Sequence, residues 1–164
     1  MNAAPEIRVR SAGNADRERV KALVGAVLTE YGLALEPEGT DADLENLEEN
    51  YLNRGGVFEL LEGAGGELLG TVGLYPMPSV GEGTPKTVEL RKMYFVPQLR
   101  GQGWGKKTLT RMIETARERG FKRVILETHS VLKEAIGLYK SFGFLPSCES
   151  KHSARCDQMF FLEL

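Results

Sequence analysis

The run Arg100-Gly101-Gln102-Gly103-Trp104-Gly105-Lys106-Lys107 sets three alternating glycines beside two lysines. Opening a helix, such a loop presents backbone N–H groups that no carbonyl has claimed, and these suit phosphate. The lysines add positive charge where the bound group is negative. Two better-known phosphate loops fail on counting. The P-loop requires four residues between its first glycine and Gly-Lys-Ser/Thr, whereas Gly101 to Gly105 leaves three. The dinucleotide fingerprint needs its third glycine one residue later, after the first strand of a βαβ unit. What remains is Arg-x-x-Gly-x-Gly, as Arg100, Gly103 and Gly105.

Other chemistries find less support. His129 and His152 are the two histidines, and neither stands near a serine or cysteine in a nucleophile setting. Cys148, His152 and Cys156 form C-x3-H-x3-C in a polar stretch that lacks a fourth ligand, so free thiols and no metal are expected. A formal charge of −2 over mixed signs argues against a nucleic-acid partner. No apolar run reaches membrane-spanning length, and Met1 to Glu6 lacks a basic segment followed by an apolar one. The expectation is a cytoplasmic protein. With 164 residues, about two-fifths of them apolar, a single domain is expected over 1–164.

The elements that must position the glycine loop follow from periodicity. Ile7 to Arg10 reads as a short strand. Val20, Leu23, Val24, Val27, Leu28 and Tyr31 then keep helical spacing, with Asn14 or Asp16 as cap and Gly32 as stop. Thr40 and Asp43 predict the start of a second helix bearing Leu44, Leu47 and Tyr51. Its acidic residues, Asp41 and Asp43 among them, are read as solvated. Val57 to Glu62 and Glu67 to Tyr75 flank Gly63-Ala64-Gly65-Gly66, a hairpin signature.

In the strand from Thr87 to Val96 the apolar positions are Val88 and Leu90, then Met93 and Phe95. The parity switches across Arg91 and Lys92, which period-two alternation permits only with an extra residue, a β-bulge. The strand should bend there and splay from its next parallel neighbour, opening a slot whose backbone groups can bond a ligand. Leu109, Met112, Ile113 and Ala116 form the stripe of the helix after the loop, which ends at Gly120. Lys122 to Thr128 is a buried parallel strand, with that helix as crossover. Leu132, Ala135, Ile136 and Tyr139 share a short helix stopping at Gly143, and Asp157 to Leu164 closes the chain as a strand. An exposed terminal strand makes a homodimer plausible.

This order resembles the GNAT superfamily of acyl-CoA-dependent N-acetyltransferases along nearly the whole chain, most specifically from Glu89 to Phe144. The glycine loop is similar to that family's coenzyme A pyrophosphate loop. Leu138 to Phe144, Leu-Tyr-Lys-Ser-Phe-Gly-Phe, is similar to its Leu-Tyr-x-x-x-Gly-Phe signature. The resemblance implies a mixed α/β fold: a six- to seven-stranded sheet with a bulged fourth strand and about four helices. It implies that backbone groups of Met93, Tyr94 and Phe95 bond the pantetheine arm. Arg100, Gly101, Gln102, Gly103, Trp104, Gly105 and Lys106 would hold the pyrophosphate. Members often carry an asparagine where this chain has Leu132.

An alkyl amine, with a pKa near 10.4, is almost all ammonium at neutral pH and needs a base before it can attack a thioester. Glu89 and Glu127 each match a position where family members place that glutamate, and Tyr139 matches the tyrosine that donates to the leaving sulfur. The implied activity is acetyl transfer from acetyl-CoA to a primary amine of a small molecule or peptide. The alternative is a non-catalytic acyl-CoA sensor.

Overall fold

The apolar stripe Val20, Leu23, Val24, Val27 and Leu28 forms the buried face of helix α1 (Arg17–Glu30), which Gly32 follows at a φ of +73°. In the computed structural model, which describes residues 4–149 and 153–164, α1 lies on one face of a seven-stranded sheet ordered β1-β2-β3-β4-β5-β7-β6. The strands are β1 (Arg8–Ser11), β2 (Val57–Glu62), β3 (Leu68–Pro76), β4 (Thr87–Phe95), β5 (Arg123–Thr128), β6 (Leu145–Pro146) and β7 (Gln158–Glu163). β4 and β5 are parallel, and the remaining pairs are antiparallel. Helix α3 (Trp104–Glu118) makes the crossover between the parallel pair and shares the opposite face with α4 (Lys133–Ser141).

Each face has its own core. Val20, Val24 and Leu28 of α1 pack with Leu44, Leu47, Tyr51, Phe58 and Leu60. Leu109, Met112, Ile113 and Ala116 of α3 pack with Val72, Leu74, Val88, Leu90 and Tyr139. Alternation along the strands explains the division, since Phe58 and Leu60 point one way and Val57 the other.

The parity switch in β4 is a bulge. Thr71 of β3 pairs with Tyr94 and Gly73 with Arg91, so Val72 alone faces Lys92 and Met93. Lys92 carries a φ of +55°, the one positive value at a non-glycine position among the described residues. For an L residue this costs about 1–2 kcal/mol. The bulge turns two consecutive cations toward the α1 face, where Arg91 and Lys92 both meet Asp43 at 3.8 and 3.2 Å.

Three expectations need correction. The second helix is not continuous: residues 42–45 form a 3-10 turn, α2 spans only Leu47–Asn50, and a further 3-10 turn covers Leu52–Arg54. Asn46 breaks it with extended backbone (φ −141°, ψ 89°) and accepts the Glu49 N–H at 3.0 Å. Residues two apart do not share a helix face, and Asp41 and Asp43 must both reach Lys92, so a regular helix is excluded. Those two aspartates are therefore buried rather than solvated. The terminal strand is not an edge either, since β7 lies between β5 and β6, which covers Phe160 and Phe161. The support for a dimer drawn from that edge lapses.

The buried charges around Lys92 form one balanced network. Lys92 Nζ pairs with Asp41 at 2.9 Å, Arg155 Nη1 with Asp41 at 2.6 Å, and Arg91 Nη2 with Glu89 at 3.0 Å. Tyr51 donates its hydroxyl to Asp43. Three acids and three bases thus bind the 36–46 segment to β4 and to the chain before β7. Burial alone would raise the Asp41 pKa. The Arg155 hydrogen bonds, the Lys92 charge and the Glu36 N–H outweigh it and hold the group down, from 3.8 to about 2. A carboxylate depressed in the folded state contributes stability above its unfolded pKa and loses it as pH falls through the folded one. Between pH ~4 and ~2 the urea midpoint should therefore drop, with Asp41 accounting for about 2 kcal/mol. Asp41→Asn should flatten this part of a pH series of urea melts.

Candidate active site

β4 and β5 pair only through Thr87–Arg123, Val88–Val124 and Glu89–Ile125, and beyond Glu89 they part. Tyr94 and Phe95 keep Thr71 and Gly70 of β3 as partners on one edge. The opposite edge of Met93 to Phe95 faces a cavity of about 720 Å³. The slot expected from the parity switch is present.

The glycine loop borders the same cavity through Gly101, Gly103, Trp104 and Gly105. Gly101 and Gly103 adopt φ of +74° and +81°, a region that a Cβ disfavours, and Gly103 caps α3. The Lys107 N–H finds the Gly103 carbonyl at 3.0 Å, so the amides of Trp104, Gly105 and Lys106 precede the helical ladder. A Cβ on Gly105 would come 3.2 Å from Leu138, which is how closely α3 approaches α4. Arg100 turns inward: Nε and Nη2 donate to the Phe95 carbonyl at 3.0 and 2.8 Å, and Nη1 to Glu30 at 2.7 Å. Its side chain thus braces the loop against β4 and α1. Gln102 donates to the Gln98 carbonyl at 2.8 Å, Lys106 is exposed, and Lys107 lies 4.4 Å over the Trp104 ring.

Glu89, Glu127 and Tyr139 all line the cavity. Glu89 is 4% exposed and accepts from Arg91, whose guanidinium stacks 3.7 Å over the Tyr75 ring. Glu127, nearer the end of β5, accepts the Ser153 N–H at 3.3 Å. Tyr139 packs its ring 5.8 Å from Phe144, and burial, with the nearby Tyr94 and Cys156, raises its phenol well above 10. Burial also pushes Tyr94 up to about 12. A phenol so shifted stays protonated, and so a donor, throughout the working pH range.

The sequence does not single out Arg155, place Cys156 in a site with Glu127, or pair Lys92 with Asp41 and Asp43, although Arg155, Cys156 and Lys92 all line the cavity. Arg91-Lys92 at the parity switch was the available signal, because a bulge aims both side chains to one face. Arg155 had none. Cys156 is a half-buried free thiol whose pKa burial raises, and Cys148 is exposed. His152 lies outside the described residues. Leu132 precedes α4 without a side-chain cap and gives the cavity an apolar wall.

A family model described as the Acetyltransferase (GNAT) family matches residues 24–144. YjgM of Escherichia coli K12, described as an uncharacterized N-acetyltransferase, is 39% identical over 132 residues, covering 79% of this chain and 76% of that protein. A GNAT-family acetyltransferase from Staphylococcus aureus Mu50 superposes with a TM-score of 0.83 at 23% identity, covering 96% of this chain and 99% of the other. YncA of Salmonella typhimurium, solved with its cofactor acetyl-CoA, gives 0.70 at 24% identity over 96% and 93%. With the splayed strand pair, the glycine loop and the two carboxylates on one cavity, these matches lead to one conclusion: the chain belongs to the GNAT family of acetyltransferases.

Proposed function

We propose that this protein transfers the acetyl group of acetyl-CoA to a primary amine of a small molecule or peptide, by direct attack with both substrates bound. The observation that carries the reading is the parting of β4 and β5 beside the unladdered amides of α3, on one cavity. An amide-bearing arm can add to the open edge of Met93 to Phe95 as a strand would. A diphosphate suits the amides from Gly101 to Lys106. Acetyl-CoA supplies the activated acyl group, and the two unpaired thiols fit a reducing, cytoplasmic compartment.

Between the two carboxylates we assign the base to Glu127. Glu89 belongs to the ion-paired network, and taking up a proton there would cost the partly buried Arg91 the nearer of its two carboxylate partners. Glu127 stands at the mouth of the splay, where it can accept a proton from the ammonium directly or through water. The nitrogen lone pair then forms the new N–C bond, the nitrogen gives up its second proton to solvent water, and the C–S bond breaks as the tetrahedral intermediate collapses, its electron pair leaving on the sulfur. A backbone N–H on the open edge of β4 faces the charge that builds on the thioester oxygen. Tyr139 serves the departing sulfur as a hydrogen-bond donor. Its raised pKa leaves it a weaker acid than a thiol near 8.5, so stabilising the thiolate, rather than full proton transfer, is the role that fits.

Calorimetry should show acetyl-CoA binding at one site per chain, and an amine panel should release free CoA thiol. Silence with both acetyl-CoA and CoA would remove the reading, and binding without turnover would leave only a sensor. Glu127→Gln should lower kcat by about 10²-fold or more, while Glu89→Gln should mainly lower the melting temperature. Equal losses of kcat in the two variants would count against the assignment. Tyr139→Phe should cut kcat by about tenfold or more with acetyl-CoA affinity kept. In a pH series the wild-type rate should climb as the amine loses its proton and show no falling limb below about pH 10.

A further inference from the structure

Glu127 is held by a loop from outside its own strand. The outer end of that loop is fastened at Asp157, whose carboxylate accepts the Ser130 N–H at 2.8 Å and the Ser130 hydroxyl at 2.6 Å. The inner end is fastened at Arg155, whose side chain is 7% exposed. Its Nη1 and Nη2 donate to Asp41 at 2.6 and 3.1 Å, and Nη1 also to the Ala34 carbonyl at 3.0 Å. Two residues earlier, the Ser153 hydroxyl lies 3.0 Å from that of Thr40, and the Ser153 N–H donates to Glu127. Lys92, fixed at the bulge, reaches both the Thr40 carbonyl at 3.2 Å and Asp41 at 2.9 Å.

The Ser153 to Glu127 bond, at 3.3 Å, is long for an N–H to oxygen contact, so it does little to hold the loop by itself. The Arg155–Asp41 pair is short, bidentate and shielded from water, which makes it the stronger fixture. We propose that Arg155 is a positioning residue: by clasping Asp41 it sets the Ser153 backbone N–H, which orients the Glu127 carboxylate toward the acceptor end of the cavity. This rests on the reading of Glu127 as the base. The clasp can be cut cleanly, because Asp41 keeps Lys92 when Arg155 is replaced, and no buried charge is orphaned.

The test is amide NMR on the full chain, with Glu127→Ala, which removes the acceptor oxygen, as the reference for a lost Ser153 bond. In Arg155→Gln the Ser153 amide proton should move to its position in Glu127→Ala, and its hydrogen exchange should quicken by about tenfold. The Leu126 amide, inside β5, should keep its exchange rate, and Arg155→Lys should return Ser153 toward the wild-type position. Calorimetry on Arg155→Gln should keep acetyl-CoA affinity within about threefold, since the Arg155 donors go to Asp41 and the Ala34 carbonyl and not to the glycine loop. An unmoved Ser153 amide in Arg155→Gln would overturn the proposal. So would faster exchange at Leu126 in step with Ser153, which would mean general loosening. Failure of the wild-type chain to bind acetyl-CoA would instead strike the acetyltransfer reading, leaving the Ser153 measurement to judge the clasp separately.

Discussion

One extra residue in β4 governs this molecule. An inserted residue cannot be absorbed by a strand with a period of two, so Lys92 takes a left-handed backbone and the strand bends. From that bend follow the loss of pairing with β5 beyond Glu89, the open edge of Met93 to Phe95, and the cavity between the strands. The strain at Lys92 is small beside what it arranges. It persists because Lys92 is tied at its far end to Asp41, Asp43 and the Thr40 carbonyl.

The bulge has an electrostatic consequence as well as a geometric one. Two consecutive cations delivered to one face must find anions there, and Asp41, Asp43 and Glu89 meet them with Arg155 completing the balance. A pair of buried charges gains little over a well-packed apolar pair, so this arrangement is better understood through what it fixes than through net stability. It fixes three chain segments distant in sequence: β4, the stretch before α2, and the approach to β7. Those segments line the end of the cavity proposed for the acceptor. The same need for pairing breaks the second helix, since no helix lets Asp41 and Asp43 face one lysine.

The side proposed for the cofactor is built on another principle. There the chain presents main-chain groups rather than side-chain charge, with Gly101 and Gly103 bending the loop and Trp104 to Lys106 offering the first amides of α3. Arg100, the one guanidinium of the loop, spends its donors on the Phe95 carbonyl and on Glu30. Backbone donors braced in this way hold their direction without the rotamer entropy of long cationic side chains. Tyr139 follows a related logic, because burial keeps its phenol protonated and therefore a donor at every working pH.

Sequence alone determined the order of elements, the bulge and the glycine loop, because each is written in local pattern: helical stripes, a parity switch, glycines ahead of an apolar run. It also marked Glu89, Glu127 and Tyr139, which the fold brings to one cavity. The broken second helix and the inner place of β7 were decided by tertiary structure. Helical spacing at Leu44, Leu47 and Tyr51 is a local signal, whereas the pull of Lys92 on Asp41 comes from about fifty residues away. Arg155 was invisible for the same reason. Its meaning depends on Asp41, a partner 114 positions distant, and no periodicity records a contact that exists only once the sheet has assembled.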